Sequence, residues 1–181
     1  MSRTILITGG ARSGKSRFAE ELALSYGSPL CYLATAQAND DEMTERIARH
    51  RLRRGALWQT IEEPLLLCQT LARIDGEYRA ILVDCVTIWL SNLLLSSDST
   101  QPDSEEQLMA HLHRLCACLP EMTTPVILVT NEVGMGIVPD NPLARLFRDV
   151  AGQANQLLAA VADELHFVVS GIPLQLKRRP S

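Results

Sequence analysis

The sequence lacks several features that mark common protein classes. No apolar run is long enough to cross a membrane as a helix, so stable membrane insertion is not expected. The formal net charge of −4 leaves no broad basic excess, which argues against binding of nucleic acid or of a membrane surface. The five cysteines are scattered, odd in number and preceded by no secretory signal, so we expect no disulfide framework and a soluble cytoplasmic protein.

Low-complexity linkers are also absent, so the 181 residues are expected to form one domain, 1–181, and their 46% hydrophobic content is enough for a core. Short apolar runs alternate with segments of helical periodicity. This alternation predicts an α/β fold with a mainly parallel, doubly wound sheet. The predicted strands are residues 4–8, 30–34, 57–62, 80–84, 125–130 and 165–170, followed by a basic tail.

A phosphate-binding motif follows the first predicted strand and precedes a helical pattern at residues 17–24. Its residues are Gly9, Gly10, Ala11, Arg12, Ser13, Gly14, Lys15 and Ser16. The pattern G-x-x-x-x-G-K-[ST] in this setting predicts a loop whose backbone N–H groups, with the next helix N-terminus, bind phosphate oxygens. We expect Lys15 to neutralise the outer phosphates and the Ser16 hydroxyl to bind Mg²⁺. A plain chain-reversing turn is the disfavoured alternative.

Two further strand ends carry candidate ligand-binding residues. The run at 80–84 ends in Asp84, which resembles the acidic residue that holds magnesium in phosphate-loop proteins, and we expect its strand to lie beside the first strand. The alternative for Asp84 is a simple strand-end turn. Thr35 and its neighbours follow another buried strand, and ligands of open α/β sheets bind at such carboxyl ends.

Residues 40–54 predict a helix that is acidic at its start and basic at its end. His50 continues an inward-facing stripe with Met43 and Ile47, among five arginines at positions 46, 49, 51, 53 and 54. Two interpretations stay open. The segment is a solvated helix end with a histidine at the core margin, or it presents a neutral imidazole nucleophile in an arginine-lined phosphate pocket.

The segment after the strand at 125–130 also has two interpretations. It contains two polar residues, Asn131 and Glu132, and two glycines, Gly134 and Gly136. Glycines at a strand's carboxyl end suggest a loop that passes close to a ligand or a partner subunit. A plain connection is the alternative.

Together these residues resemble the bifunctional adenosylcobinamide kinase/adenosylcobinamide-phosphate guanylyltransferase family. The resemblance runs from the first predicted strand to the last, and its most specific part is the segment 131–139 with the helix after it. The matching segments are residues 8–16, Asp41 to His50, Trp58 with Glu62, residues 131–139, and Phe147 to Gln156.

The resemblance implies a RecA-like phosphate-loop fold, a homotrimer and two reactions that use Mg²⁺. A nucleoside triphosphate, ATP or GTP, phosphorylates adenosylcobinamide, and GTP then donates GMP to adenosylcobinamide phosphate through a guanylyl-histidine. The catalytic residues implied are His50 and Lys15, with metal ligands Ser16 and Asp84. Further nucleotide-binding residues implied by the family are Ala34, Thr35, Ala36, Arg51, Leu52, Arg53, Arg54, Glu62 and Asp84. The family often has Glu at the position of Asp84.

Three functions from different classes are therefore compared. The first is the bifunctional enzyme. The second is a simpler phosphate-loop kinase of a small metabolite, in which His50 is structural. The third is a RecA-like ATPase stimulated by nucleic acid, which the net acidity disfavours.

Overall fold

A computed structural model describes residues 3–36, 55–95 and 105–179. Its elements are β1 (Thr4–Thr8), α1 (Lys15–Leu24), β2 (Leu30–Ala34), β3 (Trp58–Glu62), α2 (Leu67–Ile74), β4 (Ala80–Asp84), α3 (Val86–Leu95), α4 (Glu105–Cys118), β5 (Val126–Val129), α5 (Pro142–Val161), β6 (Glu164–Val169) and β7 (Ile172–Arg178). The predicted helix at 40–54 lies outside the described residues. None of the helices in these ranges is both long and apolar enough to cross a membrane.

The strands form one sheet in the order β3-β2-β4-β5-β1-β6-β7, with every pair parallel except β6 and β7. The predicted α/β fold with a mainly parallel sheet is confirmed. The expectation that the strand of Asp84 lies beside the first strand is wrong, because β5 pairs with both β1 and β4 and separates them. Residues at the end of β5 therefore lie between the phosphate-binding loop and Asp84.

Helices cover both faces of the sheet, as a doubly wound fold requires. One core contains the inward residues of α2, α3, α4 and α5, and the stripe Leu108, Leu112 and Leu115 places α4 in it. The other core contains Ala19 and Ala23 of α1 against the opposite sheet face. Successive strand residues alternate between the two cores because side chains of a strand point to opposite faces.

The start of α5 follows from its local sequence. Asn141 is the N-cap, and its side-chain oxygen accepts hydrogen bonds from the N–H groups of Leu143 (2.8 Å) and Ala144 (3.2 Å). Pro142 occupies the first turn, where its missing N–H has no cost. The helix expected after the segment 131–139 is observed at Pro142–Val161.

The prediction of a basic tail after the strand at 165–170 is wrong, because residues Ile172–Arg178 form the strand β7. Ser170 and Gly171 both have positive φ, 52° and 81°, and connect Val169 to its partner Ile172. Two such residues favour a tight hairpin whose twist matches the strands. Lys177 Nζ donates to the carbonyls of Ala159 (2.7 Å) and Ala160 (3.0 Å) in the last turn of α5, so this charge caps a helix C-terminus.

Candidate functional site: the phosphate-binding loop and the carboxyl edge of the sheet

The predicted arrangement of strand, glycine-rich loop and helix is present between β1 and α1. The helix begins at Lys15, and Gly14 precedes it with a left-handed φ of 100°. The loop closes on itself through a hydrogen bond from Ser13 N to Gly10 O at 3.3 Å. The free N–H groups of the first helical turn therefore face the loop, where an anion would be stabilised.

The loop packs closely against the hairpin of β6 and β7. A Cβ at Gly9 would lie 2.3 Å from Val168 O, and a Cβ at Gly14 would lie 3.1 Å from Gly171 Cα. The N–H of Gly171 also donates to Ser13 O at 2.8 Å. Gly9 and Gly14 are therefore required by this close packing as well as by any phosphate, and the hairpin supports the loop from behind.

Gly9→Ala should destabilise the nucleotide-free protein by about 2 kcal/mol, because the added methyl group meets a backbone carbonyl in an already packed strand. The expected fall in melting temperature is roughly 5 °C, measured by calorimetry without nucleotide. Gly10→Ala is the matched control, since a Cβ there has no heavy atom of the described residues within 4 Å apart from its own chain neighbours. Indistinguishable melting of the two variants would contradict the steric argument.

Lys15 lies buried at the end of the loop, with 6% of its surface exposed. Its Nζ donates to Gly10 O at 2.6 Å. Burial lowers the pKa of Lys15, and the nearby Cys85 and Asp84 act in the opposite direction. A partly desolvated ammonium group is well suited to bind a phosphate, because in low dielectric the attraction between opposite charges is stronger.

The end of β4 supplies oxygen ligands that suit Mg²⁺. Asp84 is half-buried, and its Oδ2 accepts a hydrogen bond from Tyr32 Oη at 2.8 Å. Ser16 lies in the first turn of α1 with a half-buried hydroxyl. Carboxylate and hydroxyl oxygens are hard ligands of the kind Mg²⁺ prefers, and Mg²⁺ commonly completes its shell with water and substrate phosphates. Within the described ranges no three His, Cys, Asp or Glu side chains form a metal-binding cluster.

Two buried hydroxyls at the loop add to its capacity for a ligand. Thr8 Oγ1 and Ser13 Oγ have no hydrogen-bond partner among the residues that the structure describes. A buried hydroxyl without a partner costs free energy. Phosphate oxygens bound in the loop are one group that could remove this cost.

The other predicted residues at this edge have different surroundings. Ala34 is in register with both Glu62 and Asp84, so these three residues lie side by side at the carboxyl ends of β2, β3 and β4. Glu62 is exposed, whereas Thr35 is completely buried. The Thr35 hydroxyl donates to Cys85 O (2.8 Å) and accepts from Cys85 N (2.9 Å). These bonds give Thr35 a structural role that joins two strand ends; its contact with nucleotide stays a prediction, as it does for Ala36.

A buried polar network at the end of β5 was not predicted. Thr130 Oγ1 donates a hydrogen bond to Asn155 Oδ1 at 2.8 Å and lies 3.2 Å from Thr87 Oγ1. Thr87 Oγ1 in turn accepts a hydrogen bond from Asn131 N at 2.6 Å. Glu132 N then donates to Gly9 O at 2.9 Å. The segment 131–139 is therefore bonded to the phosphate-binding loop at its start. A run of Thr and Asn directly after a buried strand was the available sequence signal.

The remaining predicted site residues cannot be placed in this geometry. His50 and the residues after it, Arg51, Leu52, Arg53 and Arg54, lie outside the described residues. Their proposed roles stay predictions.

A mainly parallel sheet with this loop after β1 and an acidic residue two strands away at the same edge defines a phosphate-loop nucleotide-binding protein. A family model narrows this class. The model CobU, described as cobinamide kinase / cobinamide phosphate guanyltransferase, matches residues 5–176, and the chain belongs to this enzyme family.

Curated relatives agree over nearly the whole chain. The bifunctional adenosylcobalamin biosynthesis protein CobP of Pseudomonas aeruginosa is 48% identical, covering 97% of this chain and 98% of that protein. The protein CobU of Escherichia coli, with the same description, is 44% identical and covers 96% of this chain and 99% of its own length. The CobU protein of Salmonella typhimurium is 46% identical, with 96% and 99% coverage.

Solved structures support the fold alone. The RadB recombinase has a TM-score of 0.52 at 15% identity, covering 91% of this chain and 73% of its own. The flagellar accessory protein FlaH from Methanocaldococcus jannaschii has a TM-score of 0.51 at 16% identity, with 98% and 79% coverage. At these identities the likeness shows a shared architecture and carries no information on substrate.

Proposed function

We propose that this enzyme catalyses two consecutive reactions at one phosphate-binding loop. ATP or GTP first phosphorylates the aminopropanol hydroxyl of adenosylcobinamide. GTP then transfers GMP to adenosylcobinamide phosphate through a guanylyl-His50 intermediate, which gives adenosylcobinamide-GDP and pyrophosphate. The observation that carries the proposal is the loop at Gly9–Ser16, with buried Lys15, in a chain that belongs to the cobinamide kinase family.

In the kinase step, the substrate hydroxyl oxygen bonds to the γ-phosphorus as the bond between that phosphorus and the bridging oxygen breaks. The hydroxyl proton is released, and the nucleoside diphosphate leaves. Lys15 and the N–H groups at the start of α1 stabilise the negative charge on the phosphate oxygens. Because the protein contributes mainly position and charge in such transfers, the rigid support of the loop by β6 matters for rate.

In the transferase step, a nitrogen of neutral His50 bonds to the α-phosphorus of GTP as the bond to the pyrophosphate oxygen breaks. An oxygen of adenosylcobinamide phosphate then displaces the histidine nitrogen from that phosphorus and restores the imidazole. Covalent catalysis of this kind divides one transfer into two. The arginines at 51, 53 and 54 are proposed to stabilise phosphate charge.

Magnesium is the proposed cofactor. When bound, it would supply positive charge that neutralises the phosphates of the nucleotide. Ser16 and Asp84 are the residues that would hold it, through their hydroxyl and carboxylate oxygens. Only one phosphate-loop motif occurs in the sequence, so ATP and GTP are expected to use it in turn.

Labelling with GTP tests the two-step proposal. GTP radiolabelled at the α-phosphorus should leave covalent label on the protein that is lost in acid and retained in base, as expected for a phosphorus–nitrogen bond. Adenosylcobinamide phosphate should then discharge this label into a soluble product. Kinase turnover without any covalent label would leave the simpler kinase and overturn the transferase assignment.

The proposal includes a homotrimer. The alternating residues Ile172, Leu174 and Leu176 of β7 are 62%, 48% and 62% exposed, at the end strand of the described sheet. An apolar row beside an unpaired strand edge is a surface suited to contact with another copy. The cytoplasmic location of the protein and its lack of nucleic-acid binding stay predictions.

Leu174→Glu should therefore dissociate the assembly, because a charge would be buried without a partner at the interface. Sedimentation velocity at micromolar concentration should show a trimer for the parent and mainly monomer for the variant. Gln175→Glu adds the same charge at the next, exposed position, whose side chain points to the other sheet face, and should remain trimeric. A monomeric parent protein would contradict the trimer outright.

A further inference from the structure

Three side chains from adjacent strands, one of them Asp84, are in contact. Trp58 of β3 packs edge-on against Tyr32 of β2, with ring centroids 6.3 Å apart and planes at 75°. Tyr32 Oη donates to Asp84 Oδ2 of β4 at 2.8 Å. A continuous series of contacts therefore runs across three strands to the carboxylate that is proposed to hold magnesium.

The strand register explains why the hydroxyl reaches this carboxylate. Tyr32 is paired with Leu82, and Ala34 with Asp84, so Tyr32 lies one side-chain repeat before Asp84 on the same face of the sheet. The phenol ring is 6% exposed and lies in the core under α1. A ring fixed in a core has few accessible rotamers, so its hydroxyl oxygen has a defined position.

We infer that Tyr32 is a positioning residue for the metal of the bound nucleotide. Its hydrogen bond fixes one oxygen of Asp84, which sets the direction of the carboxylate, and Trp58 fixes the ring of Tyr32. This inference rests on the proposed role of Asp84 in magnesium binding. Groups that orient a metal ligand from behind typically contribute 10- to 100-fold to metal affinity.

A packing role alone does not account for the hydroxyl. Phenylalanine would fill the same volume in the core, and a hydroxyl buried without a partner would be costly. A hydrogen bond to a carboxylate is stronger than one between neutral groups, and it restrains both partners. Tyrosine at this buried position therefore places a hydrogen-bond donor against Asp84 that phenylalanine could not supply.

Tyr32→Phe removes only the hydroxyl and tests the inference. The affinity of the GTP-bound variant for Mn²⁺ should be about tenfold weaker than that of the parent. It is measured from the signal of free Mn²⁺ in electron paramagnetic resonance. Affinity for a fluorescent GTP analogue in EDTA should stay within about twofold of the parent, because the substitution leaves the loop and the charge of Asp84 in place. The full chain is used throughout.

The matched control is Tyr78→Phe. Tyr78 is a half-buried tyrosine that precedes β4, so it lies toward the opposite edge of the sheet from Asp84. Loss of its hydroxyl should leave Mn²⁺ affinity unchanged. A general loss of core packing would instead lower the melting temperature of both variants and weaken nucleotide binding in EDTA as well.

A double-mutant cycle with Asp84→Asn separates this inference from the proposed metal role. Asp84→Asn should weaken Mn²⁺ binding, and adding Tyr32→Phe should then have no further effect, because the two residues act through one contact. Additive effects, or unchanged affinity in Tyr32→Phe alone, would overturn the positioning role while leaving Asp84 as a ligand. Unchanged affinity in Asp84→Asn would instead refute the proposed metal role, and the positioning role with it.

Discussion

Lys15→Ala should lower kcat/KM of both half-reactions at least about 100-fold, the size of effect seen when one preorganised charge is removed from a developing anion. Lys15 is the buried cation of the loop, with its Nζ 2.6 Å from Gly10 O. Both transfers develop charge on phosphate oxygens held in the same loop, so neither should escape the loss. Kinase and transferase rates are measured separately, with adenosylcobinamide and with its phosphate.

The chain offers a matched control, because its other lysine is Lys177. Lys177→Ala removes a cap from α5 and should cost about 1 kcal/mol of stability with little change in either rate. A Lys15→Ala variant that loses only the transferase would show that the two reactions do not share the loop. Two triphosphates bound to one subunit at once would also show that the two reactions do not share the loop.

Lys15 also predicts a pH dependence. Burial lowers its pKa below that of an ordinary lysine, so the neutral amine forms at lower pH than it would for an exposed side chain. The charged form is the one that binds phosphate, and kcat/KM should therefore fall on the alkaline side as pH approaches the lowered pKa. Bound phosphates restore the charged form, so the fall in kcat should occur at a higher pH than the fall in kcat/KM.

His50→Ala should abolish guanylyl transfer, with a loss of at least about 1,000-fold, because no covalent intermediate can form without the nucleophile. The kinase rate should change less than about tenfold, since phosphate transfer to a hydroxyl needs no histidine in this proposal. The readouts are acid-labile label from GTP and phosphorylation of adenosylcobinamide, each in single turnover.

His113→Ala is the control for the histidine, because His113 is exposed on α4 and has no part in the proposed site. It should retain both activities and the covalent label. Equal loss of both reactions in His50→Ala would argue against separate roles for the histidine and the loop. Retention of acid-labile label in that variant would place the nucleophile elsewhere.

Local patterns were sufficient to predict much of this molecule. The loop at Gly9–Ser16 is recognisable because its glycines, lysine and flanking elements are contiguous in sequence. The mainly parallel sheet was predicted from the alternation of short apolar runs with helical segments. These features depend on residues within one or two turns or strands of each other.

The features that were missed depend on distant partners. The place of β5 between β1 and β4 is decided by which strands pair, and several apolar strands could take that position. Likewise, the bond from Tyr32 to Asp84 joins residues 52 positions apart, so nothing in the local pattern indicates it. Nonlocal contacts of this kind need a fold before they can be seen.

The missed strand β7 has a different cause, because its signal was present. Ile172, Leu174 and Leu176 alternate with other residues as a strand requires, after a two-residue turn with glycine. The prediction described these residues only as a basic tail. A proline is tolerated in β7 because, among the residues that the structure describes, this strand is at an edge of the sheet and pairs on one side only.

The packing of β6 and its hairpin behind the loop also bears on synthesis of the protein. The loop is translated well before Val168 and Gly171, the residues that support it. A nascent chain on the ribosome therefore carries the whole motif long before it has the surface that gives the motif its shape. We expect ribosome-bound chains that end before β6 to bind nucleotide weakly, so a triphosphate would stabilise the protein only after β6 and its hairpin have been made.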